Sequence, residues 1–128
     1  MTKSLIALCL TAATAAAQEA AKVTPLISQD LKGMVDGKEG TLTLVEYAHG
    51  GADTAHRHNA YAFVYVLEGS VVMQVKGGKE MTLGPGQTFS ETPTDVHTVA
   101  RNASVTQPAK FLAFFVKEKG APILLPVQ

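Results

Sequence analysis

After residue 40 the chain alternates. "TLTLVEYA" (41–48) sets small polar residues against larger apolar ones at every second position, the period of a strand with one buried face. "AYAFVYVLEG" (60–69) is a near-continuous apolar run rich in β-branched and aromatic residues, which suit a pleated surface. "SVVMQVKGGKEMTLGPGQTF" (70–89) holds two strand-like runs about Gly77-Gly78, a tight hairpin turn. Gly84-Pro85-Gly86 marks another turn. "DVHTVARN" (95–102) and "KFLAFFVKE" (110–118) complete the set, joined by the polar "ASVTQPA". The tail "APILLPV" has two prolines and can be at most an edge strand. Short strands with turns every eight to twelve residues, and no helical period after residue 40, predict an all-β sandwich or barrel.

The first forty residues read differently. "MTKSLIALCLTAATAAA" has Lys3, an apolar run from Leu5 to Leu10, and Ala15-Ala16-Ala17, the layout of a secretory signal peptide cut after Ala17. The alternative is an N-terminal helix, which its alanines favour. The apolar run is too short for a membrane anchor; Cys9 within it would be an early site for a lipid. From Gln18 to about Lys38, Pro25 and the glycines of "KGMVDGKEG" fit either a short helix or an extended arm over 18–32. The expected layout is a leader (1–17), an arm (18–39) and one β-domain (40–128), exported to periplasm or medium.

Composition narrows the function. At 128 residues there is room for one domain. The single cysteine lies in the leader, so the mature domain has neither a disulfide nor thiol chemistry and stands on its core. Basic and acidic residues balance at 11 each without a Lys/Arg cluster, which argues against nucleic acid or anionic lipid as partner. A small molecule is the expected partner, with no membrane anchor.

Chemistry therefore rests on His49, His56, His58 and His97. Strand side chains two apart share a face, so His56 and His58 can meet one metal ion at about 2.0–2.1 Å. The plain alternative is two polar residues on a solvent-facing edge.

The wider context resembles the cupin superfamily over nearly all of residues 40–118. Gly50 precedes His56 and His58, and "YVLEG" closes the first motif at Gly69. "GQTFSETPTDVHTVARN" supplies Gly86, Pro93, His97 and Asn102 for the second, with the proline one position late. The resemblance implies a single-domain jelly-roll β-barrel whose interior holds one divalent transition metal ion (Fe, Mn, Ni, Cu or Zn) on His56, His58 and His97. It also implies a glutamate ligand seven residues before Gly69, where this chain has Ala62. Either three histidines suffice, as in thiol dioxygenases of the same superfamily, leaving positions open, or the site has lost its metal.

Glu91 in "FSETP" is the candidate to replace the acid, as a fourth ligand or as acceptor for an imidazole N–H, and is the candidate catalytic base. The alternative is a loop glutamate in solvent. Gln74 could also reach inward, and His49 joins only if its loop folds over the barrel mouth. Tyr47, Tyr61, Phe63 and Tyr65 read as core more readily than as a substrate pocket. Arg57 faces away from the histidines. Asn102 heads a formal "NAS" glycosylation site, for which the resemblance implies a structural turn role instead. Lys117, Glu118 and Lys119 read as a solvated strand end. "FLAFFV" is either core or a sheet edge through which a homodimer forms.

The expectation is an exported, metal-binding protein of dioxygenase type, acting on a small chelator such as an enediol or flavonol. The alternatives are a non-enzymatic small-molecule-binding cupin and a metal-dependent isomerase or epimerase.

Overall fold

The computed structural model describes residues 18–127; the leader expected over 1–17 lies outside the described residues. All the regular elements among them are strands. They are β1 (Lys22–Asp30), β2 (Lys38–Tyr47), β3 (Ala52–Asp53), β4 (His56–Arg57), β5 (Tyr61–Glu68) and β6 (Val71–Val75), then β7 (Met81–Leu83), β8 (Thr88–Glu91), β9 (His97–Asn102), β10 (Ala109–Glu118) and β11 (Leu125–Pro126).

Two sheets form, one in the order β1-β2-β10-β5-β8 and the other β11-β4-β9-β6-β7, with β3 also on β9. This is an all-β fold, but the strands make two separate sheets rather than one closed hydrogen-bonded barrel. Their inner faces share one core. Val45, Val64, Val66, Phe111 and Phe115 come from the first sheet, and Val71, Met73 and Leu83 from the second. Each such side chain contributes about 1.5–3 kcal/mol by leaving water.

Strand parity decides which aromatics reach that core. On β5, Ala62, Val64 and Val66 are buried while Tyr61, Phe63 and Tyr65 are about half exposed. Of the four aromatics weighed for the pocket, only Tyr47, on β2, joins Phe111 and Phe115 in the core. The three β5 aromatics were expected inside; an even-numbered inner face turns them out. "FLAFFV" lies in β10, between β2 and β5, so it is no sheet edge. Residues 22–30, open between helix and arm, form a strand paired antiparallel to β2 with a bulge between Pro25 and Ile27.

The chain's end is tied down. Lys117 is buried rather than solvated, because parity points it inward. Its Nζ donates to Glu39 Oε1 at 2.5 Å and to the Ala121 carbonyl at 2.6 Å. β11 then pairs with β4, an edge strand as its prolines require. Asn102 is buried: its Nδ2 donates to the carbonyls of Ala48 and Gln107 at 3.1 and 2.7 Å, and its Oδ1 accepts from the Ser104 N–H at 2.9 Å. These bonds use the amide as a turn clamp.

Candidate metal centre

β4 and β9 bring the histidines together. His56 and His97 are direct cross-strand partners, so their side chains share the inner face. After Arg57, which is exposed, His58 turns back inward, and Asn59 then takes a left-handed φ of 50°, a conformation asparagine tolerates. His56, His58 and His97 each offer a nitrogen within 4.8 Å of the others. His49 is exposed and Gln74 donates to the Gly78 carbonyl at 2.9 Å; neither lines the cavity at this site.

Backbone carbonyls orient two of the rings. His56 Nδ1 lies 2.8 Å from the Thr54 carbonyl and His58 Nδ1 lies 2.5 Å from that of Ile123. A carbonyl only accepts, so each Nδ1 carries the hydrogen, and in the neutral form that a metal ligand requires each ring turns a bare Nε2 inward. Those two Nε2 atoms are 3.1 Å apart. Beside them, buried His97 has no hydrogen-bond partner on either nitrogen. Two lone pairs face to face and an unsatisfied imidazole are costly among protein groups alone. A cation reconciles them, and the donor set suits a first-row divalent ion.

Glu91 completes the picture from the next strand. Ala62 and Glu91 are direct cross-strand partners on β5 and β8, both buried. The carboxylate missing at 62 therefore reappears about 5 Å away on the same face. Glu91 Oε2 is 3.6 Å from His58 Nε2 and 3.4 Å from His97 Nδ1, although it falls outside the mutual set of the three histidines. Ligands about one ion at 2.1 Å stand about 3.0 Å apart in octahedral and about 3.4 Å apart in tetrahedral geometry. The residues fit a metal.

Burial sets the protonation. It lowers the His97 pKa to about 3, helped by the His56 and His58 rings; the Val99 backbone opposes slightly, outside hydrogen-bonding geometry. Burial also lowers His58 to about 4, opposed by the Ile123 carbonyl and Asp53 and aided by His56. Both are thus neutral, as ligands must be. Burial, with Asp95 adding, raises Glu91 to about 7. In metal-free protein the unfolded state binds more protons on the two histidines below their ordinary 6.5, so stability falls as pH falls. Glu91 acts oppositely between 4.5 and about 7, but one carboxyl is outnumbered by two imidazoles. Thermal melts of chelator-stripped protein should show Tm dropping steadily below about pH 6.5. A Tm that rises there would contradict this protonation scheme.

The site opens into a cavity of about 140 Å³. Its walls are mostly apolar, among them Val45, Val64, Met73 and Phe111. Asp53 and Tyr47 also line it: Tyr47 Oη donates to Asp53 Oδ2 at 2.6 Å, and Asp53 Oδ1 accepts from the Ala21 N–H at 2.9 Å. Burial and then the Asp53 carboxylate raise the Tyr47 pKa, so it stays a neutral donor. Neither this pair nor the Ile123 carbonyl was foreseen. No motif marks them: the pair depends on how the turn after β2 folds back, and the Ile123 carbonyl on how segments 65 residues apart meet.

The comparisons agree on the fold. Among curated proteins none matches this sequence. A cupin domain from Bordetella pertussis Tohama I is similar at 18% identity, over 80% of this chain and 99% of that one, with a TM-score of 0.60. A Klebsiella pneumoniae protein with a double-stranded β-helix domain is similar at 15% identity, over 89% and 90%, with a TM-score of 0.65. An oxalate oxidase in complex with the substrate analogue glycolate is similar at 21%, over 74% and 50%, with a TM-score of 0.58. The family model for the cupin domain matches residues 43–115, which span both histidine motifs, all of β3 to β9 and parts of β2 and β10. With that match, the two-sheet fold and three converging histidines, the chain belongs to the cupin family.

Proposed function

We propose that this protein is an exported metal-dependent cupin of dioxygenase type. His56, His58 and His97 hold one divalent transition metal ion, and Glu91 takes the place left by Ala62. The observation that carries the reading is the pair of bare Nε2 atoms at 3.1 Å beside an unpartnered His97. When bound, an Fe, Mn, Ni or Cu ion supplies electron and oxygen chemistry, and a Zn ion only Lewis acidity.

The chain's own groups do the rest. In the metal-free site burial raises Glu91 to about 7; a cation held beside it would favour the carboxylate, the form that can accept a proton from a bound substrate. The apolar walls exclude water, which strengthens polar interactions inside. Size limits the substrate. A cavity of about 140 Å³ resembles the engineered cavity of about 150 Å³ that accepts benzene, so six to eight non-hydrogen atoms fit. Hydroxy acids, keto acids and the smallest enediols are in range; a flavonol is too large. Glycolate, bound by the similar oxalate oxidase, has about five non-hydrogen atoms and falls within this limit.

The small apolar cavity also suits a second reading, a carrier that holds its ligand unchanged. Mass spectrometry on untagged mature protein should find about one equivalent of transition metal per chain. With glycolate, lactate or pyruvate, oxygen uptake should follow, stop with chelator and return with metal. Ligand binding without oxygen uptake would favour the carrier, and metal-dependent conversion without oxygen an isomerase. No metal, even after reconstitution with Fe²⁺, Mn²⁺, Ni²⁺, Cu²⁺ and Zn²⁺, would end the metal reading.

A further inference from the structure

The inward face of β10 runs on past the core. Phe111, Ala113 and Phe115 are buried along it, and the Phe115 ring packs against His58 at a centroid distance of 4.9 Å. The next inward position is Lys117, only 5% exposed. An apolar side chain there would extend the same face, whereas a buried ammonium costs stability unless it is fully partnered.

Its partners lie on one turn. Lys117 stands opposite Glu39 across β10 and β2, and the two groups grip that turn from both sides. Lys117 Nζ donates to Glu39 Oε1 at 2.5 Å and to the Ala121 carbonyl at 2.6 Å, with a longer contact to the Glu118 carbonyl at 3.4 Å. Glu39 Oε1 in turn accepts from the Gly120 N–H at 3.3 Å. An ammonium has three donors, and all three are used.

From the Ala121 carbonyl the hold passes to the histidines. Pro122 has a fixed φ and keeps Ala121 extended. The next residue is Ile123, whose carbonyl accepts from His58 Nδ1 at 2.5 Å. Two residues along the chain therefore lead from the carbonyl that Lys117 holds to the carbonyl that orients His58. His56 is set differently, by the Thr54 carbonyl of its own loop at 2.8 Å.

We propose that Lys117 is a positioning residue of the metal centre: by holding the Ala121 carbonyl it places the Ile123 carbonyl, and so fixes the tautomer and direction of the His58 ring. Its effect on the ion rests on the metal reading above; its effect on the ring does not.

Nitrogen NMR of the imidazoles in metal-free protein just above neutral pH, followed by Co²⁺ competition, tests it. The chains compared are the wild type, Lys117→Met, Lys117→Met with Glu39→Met, and Gly77→Ala. Replacing both members of a buried ion pair by apolar groups of similar size is often neutral for stability, so the double variant separates the hold on Ala121 from loss of the fold. Gly77→Ala strains a hairpin of the second sheet and is the destabilised control. The wild type should show single Nδ1–H tautomers at both His56 and His58. Both Lys117 variants should lose the single tautomer at His58 and keep it at His56. They should also bind Co²⁺ about tenfold more weakly, the lower end of what losing an outer partner of a ligand costs. Gly77→Ala should lower Tm and change neither ring.

A single Nδ1–H tautomer at His58 in the double variant overturns the proposal. So does an equal change at His56 or in Gly77→Ala, which would make Lys117 merely structural. Unchanged Co²⁺ affinity in both Lys117 variants overturns the link to the ion. If neither variant folds, Lys117 serves the fold as a whole and the proposal fails. A wild type that takes up no Co²⁺ would instead remove the metal reading, while the ring signals still decide whether Lys117 sets His58.

Discussion

Glu91→Ala should weaken binding of the divalent ion by one to two orders of magnitude, and adding Ala62→Glu to that variant should restore most of it. The reasoning is local. Positions 62 and 91 face each other across β5 and β8, so a carboxylate from either enters the same space from the same face. Losing even a group that only hydrogen-bonds to a metal ligand costs about 10–100-fold in affinity, and the carboxylate here should cost at least as much. Ala62→Glu alone should not improve on the wild type, because two acids side by side repel and one stays protonated. His97→Ala, which removes a nitrogen donor outright, provides the lower bound. Competition against a colorimetric chelator with Co²⁺ would read the four variants beside the wild type. If Glu91→Ala binds Co²⁺ as the wild type does, Glu91 serves protons only and the site stands on three histidines.

The largest loss of stability is expected at Gly69, the residue that closes the first motif. It has a φ of 72°, and a Cβ there would lie 2.4 Å from the Pro108 carbonyl oxygen and 2.9 Å from the Ala109 Cα. These are backbone atoms, which cannot swing aside. Gly69→Ala should cost about 1–2 kcal/mol for the left-handed conformation and about 1–3 kcal/mol for the clash. For a domain of this size that is a Tm lower by about 10–20 °C. Gly77→Ala separates the two causes, because Gly77 has a φ of 80° but nothing within 4 Å of its would-be Cβ. It should cost only the conformational part. Equal Tm losses in the two variants would show that the Gly69 contact relaxes freely.

Much of this was legible in the sequence. The run of β2 carries a period of two, the near-continuous apolar runs of β5, β6 and β10 also read as strands, and Gly77-Gly78 marks the β6–β7 hairpin. The histidines were legible as a set because their spacing matches a known pattern. Three features were not. Residues 22–30 have no clean alternation and form a strand because β2 offers an open edge. Tyr61, Phe63 and Tyr65 are apolar on either face of a strand, and only the packing of Ala62, Val64 and Val66 tells which face is inner. Glu91 was a candidate by its oddity alone; the β5–β8 register that sets it against Ala62 cannot be read along the chain.

The tether between His58 and the Ile123 carbonyl spans 65 residues, and this bears on how the protein acquires its ion. A chain emerging from the ribosome presents His56 and His58 long before His97, and the carbonyl that fixes the His58 tautomer comes later still. Loops of that length close slowly relative to local contacts, and a metal site of this kind has no preformed counterpart in the unfolded chain. Loading of a metal there would therefore be a late event, coupled to the docking of the segment that carries Ile123. Divalent ions compete for nitrogen donors in a fixed affinity order wherever they meet them. The identity of an ion bound there would thus depend on what is available where folding finishes as well as on the nitrogen donors.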